Sequence, residues 1–466
     1  MQTPFGMFLF SCCLFAGHTA AAWAANDPVA ADDMQSLRRE IDQMRLDYAV
    51  RIAELERRLD QAEQVANQVA AAAPVPPAGA PYAAAAEAAP AVSTLTSSGR
   101  NNSFNPAIGV TFQGLAWSFG DDPEDSFIPG FPLGGEAGLA AEGLSLAESE
   151  ISMSANVDDK FTAMLTVPVV VEDGEAFAEL EEAWAETTAL PAGLAVRMGR
   201  FYSNIGYLNS WHSHAWDFAD QPLAYEAFLG SQYFDDGVQL RWLAPTDFYL
   251  ELGAEVFRGD SYPAAGAGHS GIGSNTLTAK TGGDIGFSHS WLLGLSWFNA
   301  EAIERAAGAE DEPLVFSGDT SMVIANFVWK WAPSGNNRQR AFKFQTEYLW
   351  RNEDGRYRLP TGADEPWDEN QRGWYAQAVY QPVPRWRLGL RYDQLSGGTA
   401  DPAFVDTPLY APGSDPKRYS LMVDWSNSEF SRLRFQYEYD QSRLDDDNRF
   451  GLQYIFSIGA HGAHSF

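Results

Sequence analysis

Cysteine is nearly missing from this chain. Cys12 and Cys13 stand side by side in the leading apolar stretch, and no other follows in 466 residues. Disulfide frameworks and thiolate metal sites are therefore excluded from the rest of the chain. Positive charge is scarce as well: 31 Lys+Arg face 62 Asp+Glu, a formal charge of −31. A polymer so acidic is repelled by nucleic-acid phosphates. Beyond the first 25 residues no apolar run reaches 18, and mean hydropathy is −0.27, which excludes a helical membrane protein. Catalytic signatures are missing too. There is no G-x-S-x-G, no H-E-x-x-H and no P-loop, so the expectation is a protein that is not an enzyme. Aromatic residues, in contrast, make up 13% of the chain, far too many for a disordered polymer.

The leading segment reads as an export signal. Phe5 to Ala22 is mostly apolar, and Ala22-Trp23-Ala24 is an A-x-A cleavage pattern before polar Asn26-Asp27. Residues 1–24 are the expected signal peptide, although no Lys or Arg precedes Phe5. Residues 25–70 read as an α-helical coiled-coil stalk. Met34, Leu37, Ile41, Met44, Tyr48, Ile52, Leu55, Leu59, Ala62 and Ala66 form a heptad seam with one four-residue stutter. A helix this narrow and two-sided needs a partner, which predicts self-association. Residues 71–103, rich in Ala and Pro, are the expected semi-rigid linker.

From residue 104 to 466 the dominant period is two. Phe248, Leu250, Leu252, Ala254 and Val256 alternate with Tyr249, Glu251, Gly253 and Glu255. Leu433, Phe435, Tyr437 and Tyr439 alternate with Arg432, Arg434, Gln436 and Glu438. One face is apolar with Trp or Tyr at its ends, and the other is charged. That is the pattern of a transmembrane antiparallel β-barrel with a polar lumen and aromatic girdles. About 16 strands can be placed, with 18 the next choice. Short connections such as Asp158-Asp159-Lys160 and Ala244-Pro245-Thr246 alternate with long ones at 119–143, 203–235, 258–275, 304–318, 352–371 and 396–417. Short turns on one rim and long loops on the other are the outer-membrane pattern. An even strand count puts both barrel ends on the short-turn, periplasmic rim, where the stalk belongs. The last strand is expected to run towards the terminal aromatic, Phe466.

The segment Val196-Arg197-Met198-Gly199-Arg200-Phe201-Tyr202 resembles a characteristic strand ending of the phosphate-selective porin O and P superfamily. Gly206-Tyr207-Leu208-Asn209, His212-Ser213-His214-Ala215-Trp216-Asp217-Phe218 and Asp235-Asp236-Gly237 resemble a narrower set of outer-membrane proteins, some labelled zinc-regulated outer-membrane receptors. The resemblance covers nearly the whole architecture. It implies a trimeric channel for small anions or other small solutes. The chain lacks the lysine cluster that selects phosphate, and the residues before its barrel are too few for the plug of an energised transporter.

Charge partitions unevenly. Residues 1–103 hold 7 basic and 11 acidic side chains; 31 less 7 leaves 24 basic and 62 less 11 leaves 51 acidic in the barrel region, a net −27. Many of the acids fall in presumed external loops: Asp121, Asp122, Glu124, Asp125, Glu136, Glu142, Glu310, Asp311, Glu312, Asp364, Glu365, Asp368 and Glu369. They suit Ca²⁺ or Mg²⁺ bridging to lipopolysaccharide, or focusing of cations at the mouth. Strand parity assigns Arg197, Arg241, Lys330, Lys343, Arg387, Arg391, Arg432 and Arg434 to the pore wall. It places Glu251, Glu255, Glu347, Asp393, Asp424, Glu438 and Asp440 beside them. Selectivity follows the charges at the constriction, and this balance leans to weak or cation preference. His212, His214, Asp217 and Asp220 fall within nine residues of one long loop and suit Zn²⁺ or a similar ion. The same loop, with Trp211, Trp216, Phe218 and Tyr225, also reads as a packed constriction. The expected function is passive diffusion of small hydrophilic solutes or ions through an oligomeric outer-membrane porin. The alternatives are uptake or binding of a divalent metal ion such as zinc, and tethering of the envelope through contact of the stalk with peptidoglycan. No resident cofactor is expected.

Overall fold

The computed structural model describes residues 106–120, 127–134, 137–172, 175–265, 271–308 and 313–459. The signal, stalk and linker lie outside these residues, as do His461, His464, Phe466 and the acidic positions 121–125, 136 and 310–312.

Period-two sequence becomes strand. In chain order the strands are β1 (Ala107–Ser118), β2 (Gly143–Leu146), β3 (Ser149–Asn156), β4 (Phe161–Glu172), β5 (Glu175–Ala178), β6 (Glu182–Thr187), β7 (Leu194–Tyr202), β8 (Phe234–Leu243) and β9 (Tyr249–Phe257). They continue with β10 (Ser274–Ile285), β11 (His289–Ala307), β12 (Leu314–Trp331), β13 (Ala341–Arg358), β14 (Asp364–Val383), β15 (Trp386–Ser396), β16 (Lys417–Ser428), β17 (Ser431–Gln441) and β18 (Asp447–Gly459). All named pairings are antiparallel. β1 closes the sheet on β18, from Gly109 opposite Gly459 to Ser118 opposite Phe450. Closure removes the free edges that a membrane cannot solvate.

Eighteen strand segments occupy sixteen positions. β2 and β3 lie end to end along β1, and β5 and β6 lie end to end along β4. The expected count of sixteen is thus the barrel's own, and two of its strands are broken. Each break is a bulge. Thr111 to Gly114 on β1 takes three steps, while their partners Glu150 to Leu146 take four. On β4, Thr166 to Val169 takes three steps against four from Glu182 to Ala178. An extra residue turns neighbouring side chains to the same face.

The apolar face points outward. Leu240, Leu277, Leu295, Leu390, Phe435 and Tyr454 are exposed, while Thr276, Gln345, Glu347, Asp424, Gln436 and Glu438 are buried on the other face. Among the described residues no helix is long and apolar enough to cross a membrane; strands with this polarity are the crossing elements.

Two expected long loops are corrected. Instead of connections at 304–318 and 352–371, β11 to β14 run on for 19, 18, 18 and 20 residues, so that only positions 308–313 and 359–363 separate them in sequence. Asp364, Glu365, Asp368 and Glu369 are therefore strand residues. The physical reason is that this stretch keeps its alternation with charge on the outward face. Glu353, Tyr357 and Trp367 are buried, while Arg356, Arg358 and Asp364 are exposed. An apolar outward face is needed only within lipid. Ala302, Leu314, Phe316, Tyr357, Leu359, Trp367, Phe404 and Leu409 form a small core inside this extension.

Candidate functional site

The interior is organised by one loop. The chain leaves β7 at Tyr202 and returns at Phe234 in β8. Between them it carries a 3-10 turn (Ser213–Ala215) and one short α-helix, α1 (Leu223–Leu229), whose seven side chains are all buried. Gly230 ends α1 in the left-handed region at φ 63°, which glycine adopts without strain.

Fixed points on the wall hold this loop. Glu347 of β13 accepts the backbone N–H groups of Tyr207 at 2.8 Å and Leu208 at 3.1 Å, and the hydroxyls of Tyr225 at 3.0 Å and Tyr375 at 2.6 Å. Glu255 accepts the N–H of Asn204 at 2.9 Å. Asp217 lies 3.1 Å from Lys343 and 2.9 Å from Arg387. Asp220 lies 2.6 Å from Arg391 and 2.9 Å from Arg418. Burial works against both carboxylates, but the opposing cations win. Asp217 is held well below the usual carboxylate range by Lys343 and Arg387, and Asp220 is lowered to about 2 by Arg391 and Arg418. Arg434 donates to the carbonyl of Trp216 at 2.6 Å, and Gln436 accepts from the N–H of Ala219 at 2.7 Å.

The residues that parity assigned to the pore wall fall into two groups. Glu251, Glu255, Glu347, Arg391, Arg434 and Glu438 are buried, as are Asp393, Asp424 and Asp440. Arg197, Arg241, Lys343, Arg387 and Arg432 keep between 16% and 24% of their side-chain surface accessible. Lys330 is half-buried and stands opposite Lys343 in the β12–β13 register. Arg197 and Arg241 share Glu186, at 2.8 and 2.6 Å.

The four loop residues expected to ligate metal separate into two sets. Asp217 and Asp220 pair with the cations above and lie outside the metal-donor group. His212 and His214 instead meet wall carboxylates. His212 Nδ1 is 3.2 Å from Glu181 Oε2 and 3.5 Å from Glu150 Oε2, and its Nε2 is 3.1 Å from Glu182 Oε2. His214 Nδ1 is 2.7 Å from Glu150 Oε1. Among the described residues, Glu150, Glu181 and His212 are the group of metal donors whose ligand atoms all lie within 4.8 Å of one another. Burial opposes charge on His212, yet Glu150 and Glu181, with hydrogen bonds accepted by Glu181 and Glu182, hold its pKa well above the ordinary imidazole value.

Sequence reasoning missed Glu150, Glu181 and Glu182. Adjacent strand residues point to opposite faces, so parity could not put both Glu181 and Glu182 inside. The bulge at 179–181 does, and both are buried. Pro168 of β4, opposite Glu150, was the available signal: proline cannot donate to the ladder and belongs at edges or bulges.

Together the closed sheet, outward apolar face and charged interior define a transmembrane β-barrel of the outer-membrane, porin-like class. No protein-family model matches the sequence. An Aquifex aeolicus protein named only as uncharacterized is 33% identical over 341 residues, covering 70% of each chain. The chain belongs to the same family as that Aquifex protein. Similar folds among solved structures include the outer membrane channel DcaP of Acinetobacter baumannii, at 14% identity and TM-score 0.47 over 76% of this chain and 97% of that one. OmpT, an outer membrane protein of Vibrio cholerae in a trimer form, is 10% identical with TM-score 0.46, covering 76% and 99%. An anion-selective porin from Comamonas acidovorans is 9% identical with TM-score 0.45, covering 75% and 98%.

Proposed function

We propose that the protein is an outer-membrane channel for passive diffusion of small hydrophilic solutes or ions, narrowed by the loop from 203 to 233. One observation carries this reading: the barrel interior is bridged by charge pairs and hydrogen bonds to a loop, and partly accessible charges remain there, among them Lys343, Arg387 and Arg432 against the loop, Asp220 on it, and Arg197, Arg241 and Glu186 on the wall. Charged walls around a narrowed path favour hydrated solutes. The mixture of paired acids and bases supports weak ion selectivity. Conduction by purified protein in planar bilayers under a KCl gradient tests it. Stepwise ohmic conductance with a small reversal potential is expected, and a protein that inserts without conducting would sink the proposal.

Membership of the phosphate-selective superfamily and a trimeric assembly belong to the same reading. Chemical cross-linking of the protein in native membranes should give a three-subunit ladder. Phosphate block of the current would support the superfamily's anion role. A cation reversal potential with no phosphate effect would leave a general diffusion pore. Uptake of a divalent metal ion is the second reading, favoured by the His212–carboxylate group. It requires Zn²⁺ itself to carry current.

A further inference from the structure

The group around His212 has more order than a chance collection of acids. Its donors come from separate parts of the chain: Glu150 from β3, Glu181 from the bulge between β5 and β6, and His212 from the inserted loop. Glu181 is 5% exposed. Its Oε2 and the Nδ1 of His212 face each other as a 3.2 Å ion pair whose alignment falls short of a good hydrogen bond. A buried polar contact without good hydrogen-bond alignment leaves both of its atoms able to serve a bridging ion.

The spacing fits an ion. Zinc bonds nitrogen and carboxylate oxygen at about 2.0–2.2 Å, so neighbouring ligands of a tetrahedral site stand roughly 3.3–3.5 Å apart. The observed separations from Nδ1 are 3.2 Å to Glu181 and 3.5 Å to Glu150. An outer layer is also present. Glu182 Oε2 holds the far nitrogen of His212, as carboxylates hold metal-bound imidazoles elsewhere. Glu182 is itself fixed by Trp184 Nε1 at 3.0 Å and Thr166 Oγ1 at 3.3 Å. The Tyr202 hydroxyl donates to the other oxygen of Glu181, and His214 contacts the other oxygen of Glu150.

We propose that Glu150, Glu181 and His212 bind one first-row divalent transition ion, with Glu182, Tyr202 and His214 orienting the ligands, so that the ion fastens the inserted loop to the barrel wall. Two carboxylates balance the charge of a dication. The imidazole nitrogen selects Zn²⁺ or Co²⁺ over Ca²⁺ and Mg²⁺, which prefer oxygen alone. Three protein ligands leave a fourth position for water. The inference stands whether or not the barrel conducts.

The test uses purified full-length protein in detergent, stripped with chelator and titrated with Zn²⁺ by calorimetry and with Co²⁺ by visible absorption. One equivalent should bind, with Co²⁺ bands of tetrahedral intensity that excess Mg²⁺ does not bleach. His212→Ala and Glu181→Gln should each weaken binding by at least about 100-fold, and Glu182→Gln by roughly 10–100-fold. His289→Ala, a histidine stacked on Trp329 away from the group, should bind as the parent does. Heat-modifiable gel migration checks that each variant is a folded barrel. No binding by the parent below 1 mM Zn²⁺ (a limit of about 4 kcal/mol) would overturn the proposal. Full-affinity binding by folded His212→Ala and Glu181→Gln, or displacement by Mg²⁺, would do the same.

Discussion

Asp220 shows how a single carboxylate fixes the loop. Its pKa is lowered to about 2 from an ordinary 3.8. A depressed carboxylate adds stability that is complete above its unfolded pKa and is lost as pH falls through the folded value. The loop should therefore stay docked from pH 7 down to about 4 and loosen only towards pH 2. Emission from Trp216, four residues away, should be flat over the first range and shift over the second; a change at pH 5–6 would contradict this assignment. A second prediction concerns Glu353 and Arg305, each 1% exposed and 2.8 Å apart. Glu353→Gln leaves Arg305 buried with its charge unmatched and should cost about 3 kcal/mol, read as a lower urea midpoint of the barrel in micelles. At this scale the sequence was legible wherever parity held. Glu347 and Arg391 could be placed on the inner face from alternation alone. Glu181 and Glu182 could not, because one inserted residue reverses the parity that follows it.

At the scale of elements, the loop depends on a tight approach at Gly206. This residue has φ +60°, and a Cβ there would sit 2.5 Å from Glu347 Oε2 and 2.7 Å from the Tyr225 hydroxyl. Gly206→Val would collide with the acceptor that gathers Tyr207, Leu208 and Tyr225. The loop should detach locally while the strands persist, giving larger and noisier conductance with unchanged far-ultraviolet circular dichroism. Unchanged conductance would show that the loop does not set the narrowest point. The loop's existence was readable from the break in alternation after Tyr202 and from its clustered Trp and His. Its partners were not, because they come from other strands, from Glu182 thirty residues before His212 to Lys343 and Arg387 more than a hundred beyond Asp217. The lengths of β11 to β14 were misread for a different reason. Outside lipid the outward face turns polar, so the hydropathy signal fades while the ladder continues.

For the whole molecule, the strand count and alternating rims followed from pattern, since every strand must repeat the same two-faced design to close a barrel in lipid. Replacing residues 207–222 by a short Gly-Ser linker should raise single-channel conductance at least about twofold if the loop is the resistance of the path. The same variant should still migrate as a heat-modifiable barrel. A conductance equal to that of the parent would move the constriction elsewhere.

The extended strands have an electrical consequence. A strand needs about 9–11 residues to cross the hydrocarbon, and β14 has 20. The excess forms a water-facing collar above the bilayer. Applied voltage drops where the path is narrow and hardly at all along a wide aqueous vestibule. Acids such as Asp364 and Asp368 on the collar thus experience little of it. Asp217, Asp220 and the cations that grip them stand within the drop, where each elementary charge is worth about 2.3 kcal/mol per 100 mV. Rectification and voltage-driven closure should follow substitutions on the loop and ignore those on the collar.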